Sequence, residues 1–232
     1  MGRKRALSWR TRIAALAALL AMGAGGWLWW RAQHWAPARE QFPVQGVLIG
    51  AADGAADFKA LRAIGADFAY LEASEGGSAR HSGFAANLRR VQGSGLRYGA
   101  VHAYDPCIPA ERQAANFVTT VPRDAALLPP AIALDKLAED CADPVSEAAV
   151  ESELTTFLNQ IEGHVGQPAV LKLSPEFEER YRIARRLERN LWLTRDWWQP
   201  DYAGRPWTLW TANGALRTEA GDAPVRWVVV QP

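Results

Sequence analysis

The stretch LPPAIALDKLAEDC, residues 128–141, decides the fold class of this chain. Two prolines precede a short apolar run, residues 131–134, which ends at a single carboxylate, Asp135. A short apolar run between a turn signal and a polar loop is typical of a buried parallel strand. Parallel barrels present their chemically active groups at the C-terminal ends of such strands. The stretch therefore predicts a barrel strand that carries an acid to the mouth of the barrel.

The same pattern recurs along the chain, where apolar strand-like segments alternate with amphipathic helix-like segments. Strands are predicted at residues 44–51, 67–74, 96–104, 129–135, 168–174, 190–196, 206–212 and 225–231. Helices are predicted after the first five strands, at residues 57–66, 81–95, 109–121, 146–166 and 175–188. Strands that alternate with helices form parallel βαβ units, and the last three strands have no long helix between them. We therefore expect an α/β fold, a TIM-like irregular (β/α)5(β)3 barrel that closes with mostly antiparallel strands.

The charge of the chain is unevenly distributed. Residues 1–39 carry seven basic residues and no acidic one, whereas residues 40–232 carry 19 basic and 25 acidic residues, a net charge of about −6. Binding to nucleic acid requires basic side chains that neutralise phosphates. We therefore expect no nucleic-acid partner for the main part of the chain.

The N-terminal region predicts a membrane segment. Residues 13–30 are apolar and uncharged, and three tryptophans lie near their end, Trp27, Trp29 and Trp30. As a helix this segment is roughly 27 Å long, close to the ~30 Å hydrocarbon core of a bilayer. Basic residues before it favour a cytoplasmic N-terminus, and tryptophans favour the membrane interface. We predict four segments: a cytoplasmic basic head (1–12), a transmembrane anchor (13–30), a linker (31–43) and a barrel domain (44–232).

These segments predict a single-pass protein of a bacterial inner membrane with its C-terminal domain in the periplasm. The alternative is a secreted protein whose N-terminal segment is a cleaved signal peptide, because small residues near residue 23 suit a signal peptidase. Cys107 and Cys141 are the only cysteines, and an even pair in an exported domain favours a disulfide. The four histidines have no metal-ligand spacing. We predict one disulfide, no metal and no cofactor.

Five segments, in order, resemble the family-25 glycoside hydrolases, lysozymes with a β/α-type barrel. They are FAYLEASEGGS (68–78), YGAVHAYDPCIPAERQAANFV (98–118), LPPAIALD (128–135), PAVLKLSPEFEERY (168–181) and WTLWTANG (207–214). The resemblance covers about residues 44–232. It implies hydrolysis of the β-1,4 bond between N-acetylmuramic acid and N-acetylglucosamine in peptidoglycan. Such hydrolysis uses one acid to protonate the leaving oxygen and a second group to stabilise or trap the oxocarbenium-like centre.

The resemblance places non-acidic residues at most of the family's acidic positions. Leu48 falls on the first-strand aspartate, Ala133 on the first member of the Asp-x-Glu pair, and Arg226 on a late aspartate. Asp135 falls on the family's glutamate acid, one methylene shorter, and is the candidate acid. In an alternative register Asp135 takes the first position of the pair and Leu137 replaces the glutamate.

Two further positions differ in complementary senses. Glu72 falls on the family's signature lysine, and Lys172 falls on a tyrosine of the fifth strand. One reading makes Glu72 a second catalytic carboxylate beside Asp135, where like-charge proximity would raise one pKa toward that of an acid. The other reading, which the complementary changes favour, is a salt bridge between Glu72 and Lys172.

Candidate substrate-binding residues are found at the other strand ends. Glu75 matches a family position. His102 is a candidate because the usual pKa of a histidine lies near neutral pH. Tyr104 and Trp210 have flat aromatic faces that suit sugar rings. We expect one of four aromatic residues to face the cleft: Tyr104, Trp192, Trp207 or Trp210.

Three functions follow from these patterns. The first is a membrane-anchored, peptidoglycan-directed glycoside hydrolase of the muramidase family, and the second is a non-catalytic relative that binds or scaffolds glycan in the cell envelope. The expected partners in both are peptidoglycan or a related amino-sugar glycan, and the inner membrane through residues 13–30. The third is an unrelated membrane-assembly factor that uses the barrel only as a structural body.

Overall fold

The structure, a computed structural model, describes residues 9–221 and 223–232. These residues belong to two compact units, one that ends at Trp35 and one that spans Ala36–Pro232. The first unit is a single helix, α1 (Trp9–Gln33). Its Arg12–Gln33 stretch is long and apolar enough to cross a membrane, a test that a signal sequence near an N-terminus also passes. Residues 1–8 of the predicted basic head lie outside the described residues.

The second unit is built from strands and helices in alternation. Its strands are β1 (Gln45–Ile49), β2 (Phe68–Glu75), β3 (Ala79–Arg80), β4 (Arg97–Ala103), β5 (Ala131–Leu134), β6 (Val170–Leu173), β7 (Asn190–Thr194), β8 (Leu209–Leu216) and β9 (Val225–Val230). Its helices are α2 (Phe58–Ala63), α3 (Phe84–Gln92), α4 (Ala110–Thr120), α5 (Glu147–Val165), α6 (Pro175–Tyr181) and α7 (Ile183–Arg186). Short 3-10 turns occupy Ala51–Asp53 and Ala138–Asp140.

Eight of these strands close into a barrel. The strands pair in the order β1-β9-β8-β7-β6-β5-β4-β2, and β1 pairs with β2 to complete the ring. The two-residue strand β3 is added to β2 as a short antiparallel hairpin. The predicted α/β barrel is therefore confirmed.

The predicted mostly antiparallel closure is wrong. Strands β7 and β8 pair in parallel, and only β9 runs antiparallel to its barrel neighbours β8 and β1. The reason is the loop at residues 195–208, which returns the chain to the starting end of the barrel without a long helix.

Local sequence signals account for the helix ends. Ser146 caps α5, since its hydroxyl oxygen accepts a hydrogen bond from the backbone N–H of Ala149 at 3.2 Å, and Gly166 ends the helix with a left-handed φ of 77°. Ser174 caps α6 in the same way, and Pro175 occupies the first turn. The single helix predicted at residues 175–188 is divided into α6 and α7 at Arg182, whose φ of 52° interrupts the helical backbone.

The barrel interior is filled by apolar side chains. The buried cluster consists of Leu48, Phe68, Tyr70, Val101, Ala131, Ala133, Val170, Trp192, Leu209 and Val228. Trp192 is fully buried, and its indole N–H donates a hydrogen bond to the Thr211 hydroxyl at 2.8 Å. Trp192 is therefore part of the core and does not face the cleft as a sugar platform.

A disulfide joins Cys107 and Cys141, as the cysteine count predicts. It connects the segment that follows β4 to the segment that follows β5 and closes a loop with a sequence separation of 34 residues. Such a cross-link stabilises a fold mainly because it restricts the unfolded chain.

We expect the double variant Cys107→Ala/Cys141→Ala to lose about 4 kcal/mol of unfolding free energy, the amount that loop-closure entropy gives for a loop of this length. Urea denaturation followed by circular dichroism measures the loss. Wild-type protein treated with reductant serves as the control and should unfold at the same urea concentration as the variant. Equal midpoints for the variant and the oxidised wild type would contradict the prediction.

Candidate active site

A cleft of about 300 Å³ lies at the C-terminal ends of the barrel strands. Charged side chains form much of its lining: Glu72, Glu75, Asp105, Asp135, Lys136, Lys172 and Arg226. A larger and more open groove of about 560 Å³ lies beside α5 and α6. Surface ion pairs of Arg180 and Arg186 with glutamates occupy that groove. The cleft over the barrel is therefore the candidate active site, because barrels of this type carry their chemistry at this end.

Asp135 stands directly after β5, at the rim of the cleft. Its side chain is 54% exposed, and its carboxylate forms an ion pair with the ammonium of Lys172 at 3.5 Å. The strand register explains this partner, since Ala133 of β5 is paired with Lys172 of β6. Lys172 is mostly buried, at 15% exposed, whereas Asp135 is open to solvent, so substrate groups can compete for the Asp135 carboxylate.

Glu72 is held by a second cation on the other side of the cleft. The Arg226 guanidinium donates to the Glu72 carboxylate and also to Asp53 at 3.1 Å. Asp53 in turn accepts a hydrogen bond from the backbone N–H of Gly50 at 2.6 Å. A Cβ at position 50 would meet the Glu72 carboxylate and the Arg226 guanidinium, so a side chain there would push the ends of these two side chains out of their present positions.

The favoured salt bridge between Glu72 and Lys172 is therefore wrong. Arg226 is the partner of Glu72, and Asp135 is the partner of Lys172. Charge complementarity predicted that both residues would be paired, but the strand order places each beside a different partner.

The floor of the cleft is apolar where the resemblance places two acids. Leu48 and Ala133 line the cleft and also belong to the buried core cluster with Val101. These positions supply no charge or proton to the cleft. The carboxylates that remain are on its walls.

One wall is a cross-linked loop. Asp105 accepts hydrogen bonds from the Lys136 ammonium at 2.8 Å and from the backbone N–H of Cys107 at 2.9 Å. The Gln113 side chain joins the same residue through two 2.8 Å hydrogen bonds with the Asp105 backbone. Together with the disulfide, these bonds hold the segments after β4 and β5 side by side.

The comparison with known families decides the identity of the fold. The model of the glycosyl hydrolases family 25 matches residues 49–214, from the end of β1 into β8. The chain belongs to glycosyl hydrolase family 25. The resemblance carried by the five sequence segments is thus confirmed.

Solved structures show the same barrel. A family 25 glycosyl hydrolase from Bacillus anthracis has a TM-score of 0.77 at 23% identity and covers 86% of this chain and 93% of its own. The bacterial lysozyme from Streptomyces coelicolor has a TM-score of 0.73 at 18% identity, covering 82% and 92%. A muramidase from Acremonium alcalophilum has a TM-score of 0.67 at 19% identity, covering 82% and 94%. No curated protein sequence matches the chain.

The family-25 cleft of this chain brings together several of the residues singled out in the sequence. Asp135, Glu72, Glu75 and Tyr104 all line it. Glu75 is exposed at the end of β2, and its backbone carbonyl accepts a hydrogen bond from the Asn116 amide at 3.1 Å. Sequence reasoning gave no role to three charged residues of the site: Asp53, Asp105 and Lys136. Their position in the sequence could have identified them, because each lies within a few residues of the C-terminal end of a strand.

His102 lies outside the cleft. It is fully buried between the barrel and helices α4 and α5, where its ring nitrogens pair with the Ser74 hydroxyl at 2.9 Å and the Gln113 amide oxygen at 3.3 Å. Burial lowers the pKa of His102 to about 4; the Gln113 hydrogen bond opposes this shift and His81 adds to it. His102 is therefore a neutral structural group, and we exclude it from the proposed substrate contacts.

The two aromatic candidates do not present ring faces to the cleft. Trp210 is buried against Phe42 and Trp207, with ring centroids 5.7 and 5.9 Å away, and its indole N–H donates to the Arg195 carbonyl. Tyr104 lines the cleft, but its buried ring packs on Phe157 of α5, with ring centroids 5.7 Å apart. Burial of its hydroxyl, which has no hydrogen-bond partner in the described part of the chain, raises the pKa of Tyr104. Neither ring is positioned to stack on a sugar.

The buried histidine predicts a pH dependence of stability. The unfolded chain takes up a proton at His102 near pH 6.5 and the folded chain only near pH 4, so stability present above pH 6.5 is lost as the pH falls through this window. The expected loss is about 3 kcal/mol, at about 1.4 kcal/mol per pH unit. Urea denaturation between pH 7 and pH 4 measures it. The variant His102→Asn should show a smaller decrease of unfolding free energy between pH 7 and pH 4, whereas the exposed control His34→Gln should behave like the wild type. An equal decrease in all three proteins would contradict the assignment of this pH dependence to His102.

Proposed function

We propose that the barrel acts on peptidoglycan as a glycoside hydrolase of the muramidase type. The observation that carries this proposal is the placement of Asp135, whose half-exposed carboxylate stands at the end of β5 in the cleft of a family-25 barrel. Solved structures with this fold include enzymes described as a lysozyme and a muramidase. The proposed substrate is the glycan strand of peptidoglycan or a related amino-sugar polymer.

In this proposal Asp135 is the acid and Glu72 the second carboxylate. In its protonated form Asp135 donates a proton to the glycosidic oxygen as the bond to the anomeric carbon breaks, and Glu72 stabilises the oxocarbenium-like centre. Water then adds to the anomeric carbon and gives a proton back to Asp135, which restores the acid. Lys172 positions Asp135, and Arg226 positions Glu72. Glu75 is a candidate contact for substrate hydroxyls, because it is exposed along the same wall.

A second candidate function is binding of glycan without turnover, as a scaffold of the cell envelope. The observation that favours it is the charge balance of the cleft. Glu72 and Asp135 are each ion-paired, and Leu48 and Ala133 supply no carboxylate at the floor. Preorganised charge is usually the largest contribution to transition-state stabilisation, and a cleft of neutral ion pairs supplies less of it.

A reducing-end assay distinguishes the two functions. Full-length protein in detergent is incubated with isolated peptidoglycan, and released reducing ends are compared with a buffer blank. The hydrolase proposal predicts release by the wild type and at least about a 100-fold lower rate for Asp135→Asn, since an amide cannot donate the proton. Asp143→Asn is the matched control, because Asp143 is exposed on the loop after the disulfide and does not line the cleft.

Each outcome selects one function. Release equal to the blank for wild type and both variants contradicts the hydrolase proposal. Cosedimentation of the same proteins with insoluble peptidoglycan then tests glycan binding, and protein found only in the supernatant contradicts that function as well.

The proposal includes an arrangement of the chain across the envelope. Residues 1–12 form a cytoplasmic head, 13–30 an inner-membrane anchor, 31–43 a linker, and 44–232 a periplasmic barrel. The disulfide supports an oxidising compartment, and α1 supports an anchor or a signal peptide. A periplasmic barrel would stand on the side of the inner membrane where peptidoglycan lies.

A C-terminal alkaline phosphatase fusion tests this arrangement. The fusion should be active because the barrel is exported, and a matched fusion that lacks residues 13–30 should be inactive. Intact-mass analysis should find residues 1–30 still attached; their absence would replace the anchor with a cleaved signal peptide. An inactive full-length fusion would contradict export.

A further inference from the structure

Two adjacent tryptophans are exposed on the barrel unit. Trp197 is 47% exposed and Trp198 is 70% exposed, whereas Trp192, Trp207 and Trp210 are buried. In the described part of this unit, the other large apolar side chains that are exposed are Val44 and Ile64. Two exposed indoles that follow one another in the chain are uncommon on a protein surface and are typical of a binding surface.

The loop that carries these indoles is fixed to the barrel. The backbone N–H of Trp197 donates to the Ala212 carbonyl at 2.8 Å, and the Asp196 carboxylate accepts from the backbone N–H of Gly214 at 2.7 Å. The Tyr202 hydroxyl donates to the Leu173 carbonyl at 2.7 Å and ties the far side of the loop to β6. Trp197 has a φ of 66°, a left-handed backbone conformation that non-glycine residues disfavour, and these bonds hold the loop backbone in that conformation.

The loop lies at the same end of the barrel as the cleft. It leaves the C-terminal end of β7, which pairs with β6, the strand that carries Lys172 of the cleft. The Ala212 carbonyl that accepts the Trp197 hydrogen bond lies on β8. Strand β8 is two strand spacings, about 10 Å, from β6. The loop that carries the indoles therefore borders the mouth on the β7 and β8 side, beyond the residues that line the cleft.

The chemistry of the loop favours a sugar over a membrane. Near the indoles, Arg195 pairs with Asp201 at 3.0 Å, and Asp196 adds a further negative charge. Surfaces that bind anionic lipid are enriched in lysine and arginine, which this segment is not. A flat indole in a nearly neutral setting suits the apolar face of a sugar ring, whose hydroxyls remain in water.

We propose that Trp197 and Trp198 form a stacking surface for a sugar ring of the polysaccharide, beyond the rings held in the cleft. This inference rests on the proposed function, since it concerns the same glycan. The indoles bind and orient the strand, and they take no part in bond cleavage.

Binding of full-length protein in detergent to insoluble peptidoglycan tests the proposal by cosedimentation across a range of peptidoglycan concentrations. We expect Trp198→Ala to weaken binding about tenfold and the double variant Trp197→Ala/Trp198→Ala to weaken it further. Trp198→Phe should recover part of the affinity, because it keeps an aromatic face. Ile64→Ala is the matched control, as it removes an exposed apolar side chain that follows α2, next to the start of β2 and away from the mouth.

The outcomes separate this inference from the proposed function. Wild-type binding that is unchanged in both alanine variants overturns the stacking surface and leaves the proposed function in place. Absence of binding by the wild type overturns the stacking surface, while the hydrolase proposal is decided separately by the reducing-end assay. A second measurement records how strongly spin-labelled lipid in liposomes quenches the tryptophan fluorescence of each protein. If the alanine variants bind glycan as the wild type does but show less quenching, the indoles contact the membrane, and the sugar contact is overturned. Thermal melting followed by circular dichroism should give the wild-type melting temperature for Trp198→Ala. If Trp198→Ala and Trp198→Phe both melt at lower temperature and lose binding in proportion, the loss of binding is due to folding, and the stacking surface is overturned.

Discussion

Closure of the barrel by β9 is the constraint on which the site depends. This strand lies antiparallel between β1 and β8, and β1 is also paired with β2. Without β9, two strands would expose open edges with unpaired backbone groups, a costly and aggregation-prone state. The closure also places Arg226 opposite Leu48 and within reach of Glu72, a residue 154 positions earlier in the chain. The ion pair at the mouth is therefore a product of the topology.

The cleft differs from a purely acidic glycosidase site because three of the four carboxylates in its lining are paired with cations. Three carboxylates meet cations across neighbouring segments: Glu72 with Arg226, Asp135 with Lys172, and Asp105 with Lys136. Ion pairs of this kind keep charged groups near an apolar floor at low cost, because each charge finds its partner inside the mouth. A glycan that enters the cleft must replace some of these ion-pair contacts with contacts to its own hydroxyl groups. Under the proposed function, the ease of that exchange at Asp135, the most exposed of these three acids, determines whether the cleft acts on a glycan or only holds it.

Much of the fold could be predicted from the sequence, because strands and helices differ in the period of their apolar residues. The strand before Asp135 was assigned correctly for that reason, whereas the disulfide was predicted from the even number of cysteines in an expected exported domain. The partners of Glu72 and Lys172 could not be predicted, since complementary charge does not say which of several cations lies nearest. The same limit applies to His102. Alternation places it on the opposite side of β4 from Val101, yet nothing in the sequence alone says which side faces the barrel interior.

The exposed indoles were also missed, because Trp197 lies in a loop, where no periodicity exists. Only the backbone contact to β8 shows that this loop stands at the mouth. Residues in irregular segments owe their surroundings to tertiary contacts, and these are the part of a structure that local patterns predict least well.

The disulfide sets an order of events for the site. Thiols persist in reducing compartments and pair in oxidising ones. The disulfide between the segments after β4 and β5, which carry Asp105 and Lys136, therefore forms only after the chain reaches an oxidising environment. In a reducing compartment the barrel could close through its backbone hydrogen bonds but this wall would lack its covalent cross-link, so completion of the cleft requires a chemical step that barrel closure does not.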